Sequence, residues 1–107
     1  MIVGMDILLA DDRIVSEMSA LPEWSREGGV ISRTFAFPQY MAGIAFVDKV
    51  ARLAEEANHH PDMVVKWRKV SISLTTHSKG GLTDNDFALA RQIDGKFASI
   101  ASSSGVA

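Results

Sequence analysis

The chain has 107 residues, 47% hydrophobic and 22% charged, which is one folding domain's worth of polypeptide and excludes both a multidomain machine and a disordered segment. It contains no cysteine, so a disulfide scaffold, a thiolate zinc finger, an iron–sulfur cluster and a cysteine nucleophile are all excluded. The formal net charge of −2 speaks against nucleic acid as a primary partner, because phosphate contacts call for a basic surface.

No apolar run approaches the length that crosses a bilayer. The segment from Met1 to Ala10 lacks a basic flank and is interrupted by Asp6, unlike a secretory signal. The expectation is a single cytoplasmic domain over 1–107, with 1–10 and 102–107 peripheral. A chain of this size buries a limited share of its surface, so association with further copies of itself is expected as well.

In chain order, Asp11 or Asp12 can cap a first helix carrying Ile14, Val15, Met18 and Leu21, with Pro22 beyond its end. Glu23 to Arg26 then leads through Gly28-Gly29 into Val30–Phe37, a hairpin pattern whose paired glycines supply positive φ angles. Ile31, Phe35 and Phe37 share a face of the second strand, and Arg33 in that face predicts a wet spot. From Gln39 to Asn58 the pattern is helical, with Tyr40, Ile44, Val47, Ala51 and Ala54 as the stripe and Phe46, Val50 and Leu53 reinforcing it. Asn58 suits the left-handed position after the helix, and Pro61 blocks continuation.

Met63, Val65 and Trp67 alternate with Val64 and Lys66 in a third strand. In a fourth, Val70, Ile72 and Leu74 alternate with Ser71, Ser73 and Thr75, which suits an antiparallel sheet covered on one side. After the Lys79-Gly80-Gly81 loop, Thr83 caps a last helix with Asp86 three residues on, and Phe87, Ala90, Ile93, Phe97 and Ile100 form its stripe. Ser102 to Ala107 reads as a frayed tail. The predicted fold is α+β, in the order α-β-β-α-β-β-α, with helices packed on one face of a four-stranded antiparallel sheet.

All the histidines lie between residues 59 and 77. His59 and His60 precede the third strand and His77 follows the fourth, so a hairpin of these strands brings all of them to one end of the sheet. Imidazole titrates nearest neutrality, and such a cluster suits proton transfer in both directions. Adjacent histidines are awkward ligands for one ion, and the usual metal spacings are absent, so a histidine-metal hydrolase is the weaker reading. No G-x-S-x-G elbow is present. By default Trp24 and Trp67 are core residues, Glu55 a solvated helix residue and Asp86 a cap.

The stretch Glu55-Glu56-Ala57-Asn58-His59-His60-Pro61-Asp62, followed by Trp67, His77 and Asp86 at fixed spacing, resembles the signature of the pterin-4a-carbinolamine dehydratases. The resemblance extends outward to Trp24, Phe35-Ala36-Phe37-Pro38 and Gly81-Leu82-Thr83. Met63 stands where many members carry an aromatic residue.

The resemblance implies a fold like the one predicted, assembled as a homodimer or homotetramer. It also implies loss of water from a 4a-hydroxytetrahydropterin to give the quinonoid dihydropterin, which recycles the cofactor of an aromatic amino acid hydroxylase. No metal and no organic cofactor are implied. It assigns acid/base roles to His59 and His77 and pterin orientation, with a share in proton transfer, to His60. Glu55 is expected to accept a hydrogen bond from an imidazole, Trp24 to wall the pocket, and Thr75 and Thr76 to offer backbone groups to the pterin. Asn58, Pro61 and Trp67 complete the expected binding set. The alternative function is a non-catalytic pterin- or protein-binding dimerisation module, as in relatives that act as transcriptional coactivators.

Overall fold

The structure is a computed structural model that describes residues 7–105, with side chains described through residue 101. Of the expected peripheral segments, 1–6 and 106–107 lie outside the described residues. The element order is α1 (Asp11–Ser19), β1 (Ser25–Glu27), β2 (Val30–Ala36), α2 (Tyr40–Ala57), β3 (Asp62–Val65), β4 (Lys69–Leu74), a 3-10 turn (His77–Lys79) and α3 (Asp84–Gly105). The strands form one antiparallel sheet in the order β1-β2-β4-β3. This is the predicted arrangement of helices and strands.

The period-two pattern of β4 explains the layering. Val70, Ile72 and Leu74 are buried beneath the helices, whereas Ser71 and Ser73 stand on the opposite face with Ser32 and Thr34. On that face the Thr34 and Ser71 hydroxyls lie 2.8 Å apart. The core joins Ile31 and Phe35 of β2 to Phe46, Val50 and Ala54 of α2 and to Phe87, Ala90 and Ile93 of α3.

Phe35 is the hub of the aromatic cluster, with ring centroids 4.8 Å from Phe46, 5.0 Å from Phe97 and 6.2 Å from Trp24. Phe35→Ala is therefore expected to cost about 3–5 kcal/mol of unfolding free energy, read from a urea transition with unchanged slope.

Several local expectations give way to packing. No side chain caps α1: its N-cap is Ala10, and Asp11 and Asp12 lie in the first turn, where they complement the helix dipole. The buried stripe of α2 is Gly43, Phe46, Val50 and Ala54, and Tyr40 is 47% exposed. The large side chains of Phe46 and Val50 decide which face turns inward, leaving Tyr40 outside. Arg33 does not mark a wet spot. Its guanidinium lies 4.3 Å from the Phe35 ring centroid and donates to Asp94 Oδ1 at 2.9 Å, so both charge and stem are accommodated under α3.

Of the paired glycines, Gly28 alone adopts positive φ, at 61°. Gly29 serves close approach instead: a Cβ there would meet the Gly81 backbone at 3.0 Å. Helix α3 continues through the expected tail to Gly105. Trp67 falls in the three-residue connection between β3 and β4, where the Lys66 N–H donates to the Lys69 carbonyl at 2.8 Å.

Candidate active site

Helix α2 ends where Asn58 takes the left-handed conformation, φ 50° and ψ 43°, and its N–H and that of His59 return to the last turn. The chain then reverses into β3. In the β3–β4 ladder Asp62 faces Ser73 and Met63 faces Ile72. Beyond the ladder, His59 and Thr76 meet on the two oxygens of Asp86, with His60 and His77 next to them along the chain. The hairpin thus gathers the histidine positions at one end of the sheet.

His59 is the enclosed member of the group. Its side chain is 12% exposed, and Nε2 lies 2.6 Å from Oδ1 of Asp86, whose side chain is fully buried. The other carboxylate oxygen, Oδ2, accepts from the Thr76 hydroxyl at 2.8 Å and from the Thr83 N–H at 2.9 Å. The Thr76 and Thr83 hydroxyls are 2.9 Å apart, and the Asn85 N–H donates to the Thr83 hydroxyl at 3.2 Å. Among the described residues no buried side-chain nitrogen or oxygen lacks a partner.

His60 is exposed, with Nε2 2.6 Å from Glu55 Oε2. Glu55 does hold an imidazole, but it is that of His60 rather than the one four residues on, because the turn at Asn58 redirects the chain. His77 is exposed and opens the 3-10 turn after Thr76. Asn58 is exposed and Pro61 half-buried beside the histidines.

Thr75 and Thr76 adjoin the site with different duties. The Thr75 hydroxyl donates to the Gly29 carbonyl at 2.6 Å, tying the β1–β2 turn to this end of the sheet. The Thr76 N–H donates to the Gly81 carbonyl, and the Thr76 carbonyl accepts from Lys79 and Gly81. Thr76 therefore does not offer free backbone groups as expected, and its hydroxyl serves Asp86.

Neither tryptophan joins the histidines within the chain. Trp24 is 5% exposed, in the core, with Nε1 donating to Asp94 Oδ1 at 2.8 Å. Its ring also meets Phe35 edge-on, and in the sheet β2 and β4 lie between β1, which follows it, and β3. Trp67, 73% exposed, sits at the far end of the β3–β4 hairpin, and Arg68 lies 5.1 Å from its ring. Asp86 closes the signature stretch, yet the sequence reading gives it no role in the site. Its spacing from Thr83 was read as a cap, and it is one, but a carboxylate has a second oxygen to give.

Two surface depressions, of about 230 and 400 Å³, run along α2 and include Arg52 and Glu56; neither is lined by a histidine. Among the described residues no three His, Cys, Asp or Glu side chains gather as an ion-binding group. No described helix is long and apolar enough to cross a membrane.

Comparison with known proteins adds to this geometry. The sequence profile of the family described as Pterin 4 alpha carbinolamine dehydratase matches residues 7–96. A Nocardia farcinica protein named "Putative pterin-4-alpha-carbinolamine dehydratase" is 52% identical over 87 residues, covering 81% of this chain and 92% of the relative. A Mycobacterium tuberculosis protein of the same name is 47% identical over 90 residues, covering 84% and 96%.

Among solved structures, a transcriptional coactivator/pterin dehydratase from Brucella melitensis superposes with a TM-score of 0.80 at 27% identity, covering 83% of this chain and 97% of that one. A pterin dehydratase-like protein identified as a RuBisCO assembly factor in the alpha-carboxysome gives a TM-score of 0.56 at 27% identity, covering 67% and 83%. Sequence, fold and the clustered histidines converge, and this chain belongs to the pterin-4-alpha-carbinolamine dehydratase family.

Proposed function

We propose that this protein removes water from a 4a-hydroxytetrahydropterin by histidine acid/base catalysis, giving the quinonoid dihydropterin and supporting recycling of a tetrahydrobiopterin-type cofactor after aromatic amino acid hydroxylation. The observation that carries the reading is His59 held on a fully buried carboxylate, with His60 and His77 at the same end of the sheet. Dehydration needs a proton delivered to the departing 4a-hydroxyl and a proton taken from the neighbouring ring nitrogen. His59 and His77 share these transfers. His60, braced by Glu55, orients the pterin and can assist. Asn58, Pro61 and Thr75 shape the surrounding surface. The location in this proposal is the cytoplasm.

The assembled form is a homodimer or homotetramer. Supporting this, Val64, Val65 and Trp67 are exposed on and beside β3, an edge strand with one side unpaired in the sheet.

A second reading is a non-catalytic pterin- or protein-binding module. It is favoured by the carboxysome assembly factor, which has a similar fold. Purified protein mixed with freshly generated 4a-hydroxytetrahydropterin separates the readings. Loss of water faster than in buffer supports the enzyme. Pterin binding without acceleration selects the module. Neither binding nor acceleration overturns the pterin reading altogether.

A further inference from the structure

The hydroxyls beside Asp86 have a direction. Thr76 has one hydroxyl proton, and it is spent on Asp86 Oδ2 at 2.8 Å. The 2.9 Å contact between the Thr76 and Thr83 hydroxyls must then be filled by the Thr83 proton. The Thr83 oxygen in turn accepts from the Asn85 N–H. The order is Asn85 N–H to Thr83, Thr83 O–H to Thr76, Thr76 O–H to Asp86. With the Thr83 N–H also on Oδ2, that oxygen receives both of these donors, and Oδ1 is left to face His59 Nε2 at 2.6 Å.

We propose that Thr76 and Thr83 are positioning residues that, through Asp86, hold neutral His59 as its Nε2–H tautomer and leave Nδ1 as the atom that accepts a proton. The catalytic half of this inference rests on the dehydratase reading; the tautomer does not. A carboxylate that cannot turn its acceptor away keeps the imidazole proton on the enclosed side of the ring, so that the lone pair lies on the other nitrogen. His59 then enters the reaction as the base, and the proton it takes makes an imidazolium paired with Asp86. His77 is left as the acid for the hydroxyl.

The clamp also fixes what an amide would do in its place. In Asp86→Asn the side-chain oxygen must occupy the Oδ2 position, since two donors point there. The amide NH₂ then faces His59 Nε2 and donates to it, which forces the Nδ1–H tautomer.

Long-range ¹H–¹⁵N spectra of the labelled intact protein, at a pH where His59 is neutral, read the tautomer directly. The expected wild-type result is a protonated Nε2 and an unprotonated Nδ1, and Asp86→Asn is expected to exchange the two. A wild-type His59 carrying its proton on Nδ1 overturns the proposal without recourse to any variant, and so does an unchanged tautomer in a folded Asp86→Asn.

In dehydration assays Asp86→Asn should lower kcat about 10²- to 10⁴-fold with little change in KM. Thr76→Val should lower kcat about tenfold, and Thr76→Ser should recover it. An active wild-type enzyme whose kcat is unmoved by Asp86→Asn overturns the positioning role. A wild-type protein with the expected tautomer and no dehydration leaves the clamp standing and overturns the dehydratase reading alone.

Discussion

Replacing His59 with alanine is expected to lower the rate of pterin dehydration by about 10²- to 10⁴-fold, the usual contribution of a positioned acid or base. The fold should survive the change. His59 lies at the margin of the core, in the link between α2 and β3, and its one named side-chain partner is Asp86. Asp86 retains the Thr76 hydroxyl and Thr83 N–H on Oδ2 after the ring is removed, and water can enter at Oδ1. Circular dichroism and the urea midpoint should therefore stay near wild type while turnover falls. His77→Ala should behave similarly, because His77 is exposed. Turnover within threefold of wild type in a folded His59→Ala protein would remove the imidazole from the mechanism.

Asp86→Ala should damage stability and activity together. Two donors and the His59 ring converge on this carboxylate, which is 0% exposed. Truncation leaves the Thr76 hydroxyl, the Thr83 N–H and the His59 ring facing a cavity. It also removes the side-chain half of the cap at the start of α3. Stranded buried donors and a lost cap together should cost about 3 kcal/mol, seen as a lower urea midpoint. Dehydration should fall at least as far as in His59→Ala, because the ring that remains has lost its anchor. A variant as stable as wild type would show that the Asp86 network does not hold this corner of the fold.

These two residues also show how much of the molecule could be read beforehand. The sheet was legible because its pattern is unambiguous: Val70, Ile72 and Leu74 against Ser71, Ser73 and Thr75 admits one covered face, and that face is observed. The end of α2 was legible because Asn58 tolerates a left-handed backbone and Pro61 forbids more helix. The gathering of the histidines followed from pairing β3 with β4.

The partner of His59 was not legible, because it depends on where α3 docks. Asp86 lies 27 residues from His59, and nothing local says that one cap oxygen reaches across. The hydrogen bond of the Trp24 indole was hidden for the same reason. Its partner Asp94 is 70 residues away on α3 and also receives Arg33, which turns a charged residue in a core face into a satisfied one. The stripe of α2 was blurred because apolar residues lie around much of that helix, and only contact with the sheet selects Phe46 and Val50 over Tyr40 and Ile44.

Turnover of a hydroxylated pterin by these histidines is distinguished from mere binding by a kinetic assay. The most direct measurement follows the first-order decay of 4a-hydroxytetrahydropterin to the quinonoid dihydropterin, by absorbance, with the wild-type protein at a small fraction of the substrate concentration. The rate should rise in proportion to protein concentration through many turnovers and return to the buffer rate when His59 and His77 are both alanine. A decay rate equal to that in buffer at every concentration of folded wild-type protein would contradict turnover by these histidines.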